Sequence, residues 1–377
     1  MTKLVLFISN SSEFFYSHRL NLAKKLNDQG YKVILATPSS KSKKPEDTEW
    51  LEEENFFLKR NSRNLFYELL TLFTIFRLVY VLKPLFVHSL TIKPNIYVSI
   101  VSKFLNFKHV LATTGMGYLS TPKTLLEKCI SQMVNSFLKL IYSKNFFYIF
   151  QNDDDLRKIQ NIVKGDIIYI ETFGSGVDLN QFTPSQSLRK DKKINIAFAG
   201  RLLIDKGINL FLNLAKEFQT NCNCIFHIFG QPDQGNPRSV SMDEIDIYNS
   251  FPNIRYHGFT KDLALHFQNM DIFVYPSYYG EGLPKVLLEA SASSLALITS
   301  NIPGCLKVNR DGVTGFVINE QSLSAYVSAL EKICFDGDLL QEFKYQSRLR
   351  AEKYFSEHEV ILEHLKLYEI ALESTSN

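Results

Sequence analysis

Cysteine is scarce in this sequence: there are five among 377 residues, an odd number, and most stand in apolar runs. So few thiols do not make the disulfide framework of a small secreted domain, and we expect reduced cysteines in the cytoplasm. Cys222 and Cys224 have one residue between them and no second pair, which does not match a zinc knuckle. No signal peptide is expected, because Met1–Lys3 precedes only five apolar residues before Ser9.

Neither sign of charge is in large excess over the whole chain. The net charge is +3, with 21% charged and 45% hydrophobic residues, which excludes a disordered or fibrous protein. Residues 1–175 nevertheless carry 23 Lys and Arg against 15 Asp and Glu. A basic first half indicates an anionic partner, such as a phosphate, a membrane surface or nucleic acid. Because no nucleic-acid-binding module is recognised, we expect no nucleic-acid partner.

Short β-branched or aromatic runs alternate with amphipathic segments of helical length, which is typical of parallel sheets built from βαβ units. The predicted strands of the first half are Leu4–Ile8, Tyr31–Thr37, Leu85–Ser89, His109–Thr113 and Phe146–Phe150. Those of the second half are Ile194–Ala199, Cys224–Phe229, Arg255–His257, Ile272–Tyr275, Ala296–Thr299 and Gly315–Ile318. The length suits about two domains. The pattern therefore predicts an α/β protein of two successive doubly wound units.

Other segments give the expected boundaries. The joint between the domains is predicted at Gly174–Gly176, which gives domains of residues 1–175 and 176–355. A first helix is predicted from Phe14 to Gln29, since Gly30 is a favourable C-terminal stop. Lys41–Glu54 is interpreted as an exposed loop and helix start. The chain is predicted to be helical from Leu339 to Ala371.

The most apolar stretch is Leu65–Leu82, which is almost long enough to span a bilayer. Polar residues interrupt it at Glu68, Thr71, Thr74 and Arg77, and they drift around one side of a helix. Three interpretations remain open: a helix packed in the core, a helix partly in contact with lipid, and a true membrane span.

Two carboxylates eight residues apart, Glu281 and Glu289, follow the predicted strand Ile272–Ser277. We expect Glu281 and Gly282 at the entrance of a helix, where free backbone N–H groups favour an anionic ligand. Glu289 would lie two turns deeper, placed to accept hydrogen bonds from a diol such as a ribose. Spacing alone favours the ordinary alternative, a solvent-facing helix with two surface carboxylates.

A loop with two basic residues, Gly200–Gly207, occupies the first βα turn of the second unit, where α/β sheets bind ligands. Arg201 offers a planar fork and Lys206 a mobile point charge, a combination suited to a diphosphate. Alone, such a loop is common and usually solvated.

Together, Gly200–Gly207 and Pro276–Ala290 strongly resemble the family-4 retaining glycosyltransferases of the GT-B fold. The resemblance extends to Asn301–Cys305 and Asp311–Phe316. In the first half, four segments resemble the PglA-like subgroup that builds O-antigen, capsule and lipid-linked glycans: Phe15–Leu20, Val87–Pro94, Thr114–Tyr118 and Phe150–Asp154. The resemblance implies two Rossmann-like domains facing a cleft, with a C-terminal helix at about 356–377 that crosses back to the first domain.

The resemblance also implies roles for individual residues. The expected catalytic residues are Arg201, Lys206, Glu281 and His88, of which His88 is predicted to end a strand at the edge of the cleft. The expected donor-binding residues are Asn10, Ser11, Gly200, Gly230, Phe259, Gly282, Leu283, Pro284, Lys285 and Glu289. The expected acceptor-binding residues are His18, Arg19, Thr91, Lys93, Thr114 and Gly115. His227, His257 and His266 are predicted to be structural, because no carboxylate or histidine partner stands at ligand spacing.

The expected reaction is transfer of a sugar, an N-acetylhexosamine, from a UDP-sugar to a polyprenyl-diphosphate-linked glycan at the cytoplasmic face of the membrane. No cofactor or metal is expected, because Arg201 and Lys206 would neutralise the diphosphate. The acidic run Asp153–Asp155 is better explained as the start of a helix. Two alternatives stay open: the same fold acting on a soluble sugar or sugar phosphate, and a non-catalytic protein that binds nucleotide sugars.

Overall fold

A computed structural model describes most of the chain. The described residues are 3–38, 44–59, 64–113, 132, 135, 136, 138–163, 166–185, 193–220, 223–233, 235–278 and 282–374. Contacts divide the chain into two compact units. The first unit comprises Met1–Ser175 and Glu359–Asn377, and the second comprises Gly176–His358.

The first unit contains a seven-stranded parallel sheet in the order β3-β2-β1-β4-β5-β6-β7. Its strands are β1 Leu4–Ile8, β2 Lys32–Thr37, β3 Glu52–Asn55, β4 Phe86–Leu90, β5 Lys108–Ala112, β6 Phe146–Phe150 and β7 Ile168–Glu171. The two edge strands were not predicted. Both are largely exposed; Glu52–Asn55 contains no apolar residue, whereas Ile168–Glu171 begins with three.

The second unit contains a six-stranded parallel sheet in the order β10-β9-β8-β11-β12-β13. Its strands are β8 Ile194–Ala199, β9 Cys224–Phe229, β10 Ile254–Gly258, β11 Ile272–Tyr275, β12 Ala296–Ser300 and β13 Gly315–Ile318. The chain reverses direction across the sheet between β8 and β11. Ligands of doubly wound sheets bind at the carboxyl ends of strands beside such a switch point.

Helices accompany both sheets. Those before β8 are α1 Ser12–His18, α2 Leu20–Asp28, α3 Leu65–Leu82, α4 Ile92–Leu105 and α5 Asp153–Val163. Those after it are α6 Ile208–Glu217, α7 Met242–Asn249, α8 Leu263–Phe267, α9 Lys285–Ala292, α10 Pro303–Val308, α11 Leu323–Phe335, α12 Gly337–Tyr354 and α13 Glu357–Glu373. A 3-10 turn, Ile204–Lys206, precedes α6. This architecture confirms the predicted doubly wound α/β class.

Side chains of β1 alternate between the two faces of the first sheet. Val5 and Phe7 pack with α2 and α13, whereas Leu6 and Ile8 pack with α3 and α4. Because helices cover both faces, the central strands are buried along almost their whole length, and such strands read as continuous apolar runs.

Three predicted segments differ from the structure. The helix predicted from Phe14 to Gln29 is broken at Arg19, whose φ of −136° is not helical. The segment Lys41–Glu54, interpreted as a loop and helix start, instead supplies part of β3, because Ile34–Thr37 offers Glu52–Asn55 a free parallel edge. The long C-terminal helix is two helices, separated where Ser356 pairs with Val177.

The C-terminal helix α13 packs into the first unit although it follows the second unit in sequence. Leu367 and Ala371 are fully buried in the same core cluster as Val5 and Phe7 of β1. The apolar residues of α13 therefore complete one face of the first sheet.

Helix α3 is long and apolar enough to cross a membrane by length and composition, and it is the one such helix found among the described residues. It buries Thr71, Ile75 and Val79, which lie four residues apart on one face. Its exposed apolar side chains include Phe66 at 67%, Phe73 at 63% and Tyr80 at 61%. The helix is thus neither packed wholly in the core nor wholly exposed: one face covers the sheet and the opposite face presents aromatic residues to its surroundings.

Candidate active site

The loop after β8 has a conformation that only glycine permits at its end. Gly207 has φ +83°, and a Cβ there would lie 2.3 Å from the carbonyl oxygen of Pro276. The main chain of this loop therefore lies against the carboxyl end of β11. The amide of Tyr278 also donates a hydrogen bond to the carbonyl oxygen of Asp205, at 3.2 Å. These contacts bring the two predicted donor-binding segments together at one edge of the second sheet.

Lys206 ends the 3-10 turn, and its side chain is held at the end of β11. The Nζ atom donates a hydrogen bond of 2.9 Å to the phenol oxygen of Tyr275, and it lies 5.6 Å from the centre of that ring. Tyr275 is 1% exposed, so its ring is fixed by the core. The sequence reasoning did not identify Tyr275, because an aromatic residue in a buried strand has the pattern of a core residue.

Arg201, two residues after β8, has a side chain that is 60% exposed. Its Nη1 atom forms an ion pair of 2.8 Å with Oδ2 of Asp233. Asp233 follows β9, in the neighbouring loop of the same sheet edge. Sequence reasoning also missed Asp233, since an aspartate in a polar loop carries no distinctive signal.

The helix that follows β11 begins a few residues later than predicted. Helix α9 begins at Lys285, with Pro284 as its N-cap, so Gly282 precedes the helix. Glu281 lies outside the described residues, so its placement relative to Glu289 stays a prediction. A Cβ at Gly304 would lie 2.0 Å from the carbonyl oxygen of Gly282, which shows how closely α10 approaches this segment.

Glu289 lies on α9 with a side chain only 12% exposed. Burial raises the pKa of its carboxyl group, and the Lys285 ammonium, 3.8 Å away, partly offsets this by lowering it. This environment excludes the alternative of two ordinary surface carboxylates as far as Glu289 is concerned. A buried carboxylate with one neighbouring cation keeps oxygen atoms that accept hydrogen bonds.

The other predicted donor-binding residues of the second unit lie at the ends of β8, β9 and β10. The amide of Gly200 donates to the carbonyl oxygen of Phe229, at 2.9 Å, and the amide of Gly230 donates to that of Gly258, at 2.8 Å. Phe259, directly after β10, is 65% exposed. Leu283 and Pro284 are buried beside Gly282.

His227, His257 and His266, which are predicted to be structural, lie close together in space although no histidine partner stands at ligand spacing in the sequence. Nδ1 of His227 and Nε2 of His257 are 2.9 Å apart, and the ring of His266 lies 5.4 Å from that of His257. Adjacent strands bring the first two together, although thirty residues separate them in sequence. Among the described residues, no group of three His, Cys, Asp or Glu side chains is arranged to hold a metal ion.

Asn10 and Ser11, in the first unit, follow β1. Ser11 is the N-cap of α1, and its Oγ atom accepts a hydrogen bond from the amide of Phe14 at 3.3 Å. Asn10 is half-buried. The hydroxyl group of Ser11 thus has a local structural partner, as expected for a serine before a helix.

His18 and Arg19 stand at the break between α1 and α2. The ring of His18 stacks on Phe14, with its Nδ1 atom 3.1 Å from the carbonyl oxygen of that residue. Arg19 is 3% exposed, and its Nη1 atom donates to the carbonyl oxygen of His18 at 2.9 Å. The structure therefore places the Arg19 guanidinium inside the first unit instead of on a helix surface.

His88 was predicted to end a strand at the edge of the cleft, and the structure places it elsewhere. It is the central residue of β4 and has 0% exposure. Its Nδ1 atom shares a hydrogen bond of 2.6 Å with the phenol oxygen of Tyr368 on α13, and its Nε2 atom has no partner among the described residues. Burial holds the pKa of His88 well below the usual value, and the charge of Arg19 lowers it further. His88 is thus a neutral core residue of the first unit.

Thr91 and Lys93 begin α4. Thr91 has φ +74°, an uncommon conformation for a β-branched residue, and its buried Oγ1 atom has no partner among the described residues. Such strain costs on the order of 1–3 kcal/mol and is concentrated at functional sites. Lys93 pairs with Glu68 of α3 at 3.2 Å. Thr114 and Gly115 lie outside the described residues.

The acidic run Asp153–Asp155 occupies the first turn of α5, as predicted. The Oδ1 atom of Asn152 accepts a hydrogen bond from the amide of Asp155 at 2.9 Å, and its Nδ2 atom donates to the Asp155 carboxylate at 3.0 Å. This reciprocal arrangement has the geometry of a helix cap.

Comparison with known proteins identifies the class. Residues 180–350 match the family model of glycosyl transferases group 1, and residues 4–145 match that of glycosyl transferase 4-like proteins. The chain is therefore a glycosyltransferase. It belongs to the family-4 glycosyltransferases of the GT-B fold, which confirms the resemblance drawn from its motifs.

Two curated relatives act on lipid-linked sugars according to their names. The chain is 24% identical to the N,N'-diacetylbacillosaminyl-diphospho-undecaprenol alpha-1,3-N-acetylgalactosaminyltransferase of Campylobacter jejuni, over 96% of this chain and 97% of the relative. It is also 24% identical to the UDP-Gal:alpha-D-GlcNAc-diphosphoundecaprenol alpha-1,3-galactosyltransferase of Escherichia coli, over 77% of each chain.

Solved structures share the fold along almost the whole chain. The sucrose-phosphate synthase of Thermosynechococcus elongatus superposes with a TM-score of 0.80 at 16% identity, covering 99% of this chain and 100% of that one. HepE of Anabaena, in complex with UDP and glucose, superposes with a TM-score of 0.74 at 13% identity, covering 98% and 100%. At these identities the likeness concerns the fold alone.

Proposed function

We propose that this chain is a retaining glycosyltransferase that transfers an N-acetylhexosamine from a UDP-sugar to a polyprenyl-diphosphate-linked glycan, in the synthesis of a bacterial surface polysaccharide. The observation that carries the proposal is the placement of Arg201 and Lys206 in one loop at the carboxyl edge of the second sheet. Two cations at this position suit the diphosphate of a nucleotide sugar.

The two cations suit the chemistry of the leaving group. As the bond between the anomeric carbon and the diphosphate oxygen breaks, its electron pair stays on the diphosphate, whose negative charge grows. The acceptor hydroxyl oxygen bonds to the anomeric carbon and passes its proton to an oxygen atom of the departing diphosphate. Arg201 and Lys206 stabilise the growing charge more in the transition state than in the ground state, which is the condition for catalysis.

The remaining donor contacts are assigned to α9 and the segment before it. The amides of Gly282–Lys285 approach the sugar and phosphate, and Glu289 binds the ribose hydroxyl groups. The low exposure of Glu289 supports this role, because water competes little for its oxygen atoms. Glu281 is assigned to the hydroxyl groups of the donor sugar by resemblance to the family.

The acceptor is assigned to the first unit. The names of the Campylobacter and Escherichia relatives specify diphospho-undecaprenol-linked sugars, which supports a lipid-linked acceptor for this chain. The strained Thr91 and the neighbouring Lys93 are the acceptor residues that the geometry favours. His88, which is buried, is assigned a positioning role through its bond to Tyr368 rather than contact with substrate.

We further propose peripheral attachment at the cytoplasmic face of the membrane. The exposed residues Phe66, Leu69, Phe73 and Tyr80 lie on one face of α3, opposite the buried Thr71–Val79 face. An aromatic face of this kind inserts favourably at the boundary of headgroups and acyl chains. Metal independence is also proposed, because two cations serve the diphosphate, and full activity in excess EDTA is the expected result.

One experiment tests the proposed reaction and separates it from its alternatives. Purified enzyme is incubated with radiolabelled UDP-N-acetylhexosamines and a membrane extract that contains polyprenyl-linked glycans, and the products are divided between organic and aqueous phases. Label in the organic phase is expected. Label transferred only to a water-soluble product would indicate a soluble acceptor, and binding of the nucleotide sugar without any transfer would indicate a non-catalytic protein.

A further inference from the structure

Two neighbouring loops of the second unit are joined by backbone hydrogen bonds. One loop, Arg201–Lys206, follows β8, and the other, Gln231–Val240, follows β9. The amide of Val240 donates to the carbonyl oxygen of Leu202 at 3.0 Å, and the amide of Ile204 donates to that of Arg238 at 2.9 Å. These bonds hold the second loop directly beside the residues assigned to the diphosphate.

Two ion pairs link the loops, and each loop supplies the cation of one pair and the anion of the other. Arg201 of the first loop pairs with Asp233 of the second at 2.8 Å. In return, Asp205 of the first loop pairs with Arg238 of the second, whose Nε atom lies 3.2 Å from each carboxylate oxygen. Both pairs are partly exposed, so neither is needed to neutralise a buried charge.

Asp233 is fixed by its own loop. Its Oδ2 atom accepts a hydrogen bond from Nδ2 of Asn236 at 3.1 Å, and its backbone amide donates to Oγ of Ser239 at 2.9 Å. Arg201, by contrast, has a long side chain that is 60% exposed and bound to the carboxylate through one nitrogen. The guanidinium is therefore the member of the pair that exchanges partners most easily.

A diphosphate and a carboxylate compete for the same kind of donor. Both are oxyanions that accept charge-assisted hydrogen bonds from a guanidinium group. We propose that Asp233 is an internal anion that occupies Arg201 while the donor site is empty, and that a nucleoside diphosphate must displace it. This inference rests on the proposed function of Arg201 as a ligand of the donor diphosphate.

The exchange has a consequence for turnover. Any energy needed to separate Arg201 from Asp233 is subtracted equally from the binding of donor and of product, so Asp233 weakens ground-state binding of both. A weaker hold on the released nucleoside diphosphate favours its departure. Asp233 thus sets the affinity of the donor site without touching the sugar.

The test is the affinity of the full-length protein for nucleoside diphosphates, measured by isothermal titration calorimetry at low ionic strength. Uridine, guanosine and adenosine diphosphates are compared on the wild type, and the tightest ligand is used for the variants. Asp233→Asn keeps the size of the side chain but removes its charge. The dissociation constant should fall about two- to fivefold, the scale of one exposed ion pair.

Two further variants complete the experiment. Glu217→Gln removes one negative charge from the exposed C-terminal end of α6 and should leave the affinity unchanged. In a protein that already carries Arg201→Gln, the additional Asp233→Asn change should leave the dissociation constant unchanged. No guanidinium group is then present for Asp233 and the diphosphate to compete for. Asp233→Ser serves as a second neutral variant if Asp233→Asn lowers the melting temperature.

The outcomes separate the inference from the proposed function. Unchanged or weaker binding by both neutral variants of Asp233 would show that Asp233 orients Arg201 or contacts the ligand, and would overturn the inference alone. An equal gain in affinity from Glu217→Gln would show that the effect comes from net charge alone, and it would also overturn the inference. Wild-type affinity in Arg201→Gln, or no binding of any nucleoside diphosphate to the wild type, would contradict the proposed function and the inference together.

Discussion

The ammonium group of Lys206 is held by the phenol oxygen of Tyr275, at 2.9 Å, on the last residue of strand β11. Tyr275 is buried, so the lysine is positioned by a rigid element of the sheet even though it stands in a loop. Charges that are oriented before the reaction stabilise a transition state more than charges that must reorganise. The pair therefore supplies the preorganisation that the proposed role of Lys206 requires.

The first prediction concerns the two basic residues of this loop. Arg201→Ala and Lys206→Ala should each lower turnover about 10²- to 10³-fold, the scale of losing one donor to the developing charge, while the melting temperature stays close to that of the wild type. Tyr275→Phe should lower turnover less than Lys206→Ala, because it removes the hydrogen bond but keeps the ring. Steady-state kinetics measure this, with Glu217→Gln as the control. Near-wild-type turnover in either alanine variant contradicts the assignment.

The second prediction concerns helix α13. A chain that ends at Phe355 loses Leu367, Tyr368 and Ala371 from the core of the first unit, and it leaves the ring of His88 without its hydrogen-bond partner. Burial of one large apolar side chain is worth roughly 1.5–3 kcal/mol, so the first unit should unfold more readily, with soluble yield and activity falling together.

The control for the truncation is a chain that ends at Ser374. It keeps α13 and also the contacts between Ser374 and Lys108. This chain should keep wild-type yield and activity in an expression test with a radiolabel assay. Full activity of the chain that ends at Phe355 would show that α13 is not needed by the first unit.

The third prediction concerns membrane attachment. A variant with Phe66→Ser, Phe73→Ser and Lys83→Gln should float less with anionic liposomes than the wild type, because it loses exposed aromatic surface and a cation worth about 1 kcal/mol near an anionic membrane. Tyr345→Ser, which changes an aromatic side chain of similar exposure in the second unit, is the matched control. Equal flotation of the wild type with neutral and anionic vesicles would remove the electrostatic part of the proposal.

The fourth prediction concerns acid stability. Burial lowers the pKa of His364 and of His109 to about 3 in the folded chain. In the unfolded chain both histidines bind protons below about pH 6.5, whereas in the folded chain they stay neutral until about pH 3. Because the unfolded chain binds more protons than the folded chain in this range, the free energy of unfolding decreases as the pH falls. Each group contributes a slope of up to about 1.4 kcal/mol per pH unit between these limits.

His364→Gln tests this dependence. The variant should lose less stability than the wild type between pH 6 and pH 4, because one fewer proton is taken up on unfolding. Urea unfolding at each pH, followed by circular dichroism, measures the difference. An identical decline in both proteins would show that His364 does not remain neutral in the folded chain.

The sequence by itself determined the local features of this protein: its central strands, its contiguous motifs and its helix caps. The central strands of both sheets lie within one or two residues of their predicted positions, because strands buried on both faces must be apolar along their whole length. The loop Gly200–Gly207 was identified because its motif is contiguous, and the acidic run Asp153–Asp155 because helix caps are local.

Only the tertiary structure decided which distant residues meet. The pairing of Arg201 with Asp233 and the burial of His88 under Tyr368 join residues that lie 32 and 280 positions apart. No periodic pattern encodes such a contact, since it depends on how strands are ordered and how helices cover them. The sidedness of α3 was likewise decided by packing against the sheet, because its buried face includes the polar Thr71 while Phe66 and Phe73 are exposed.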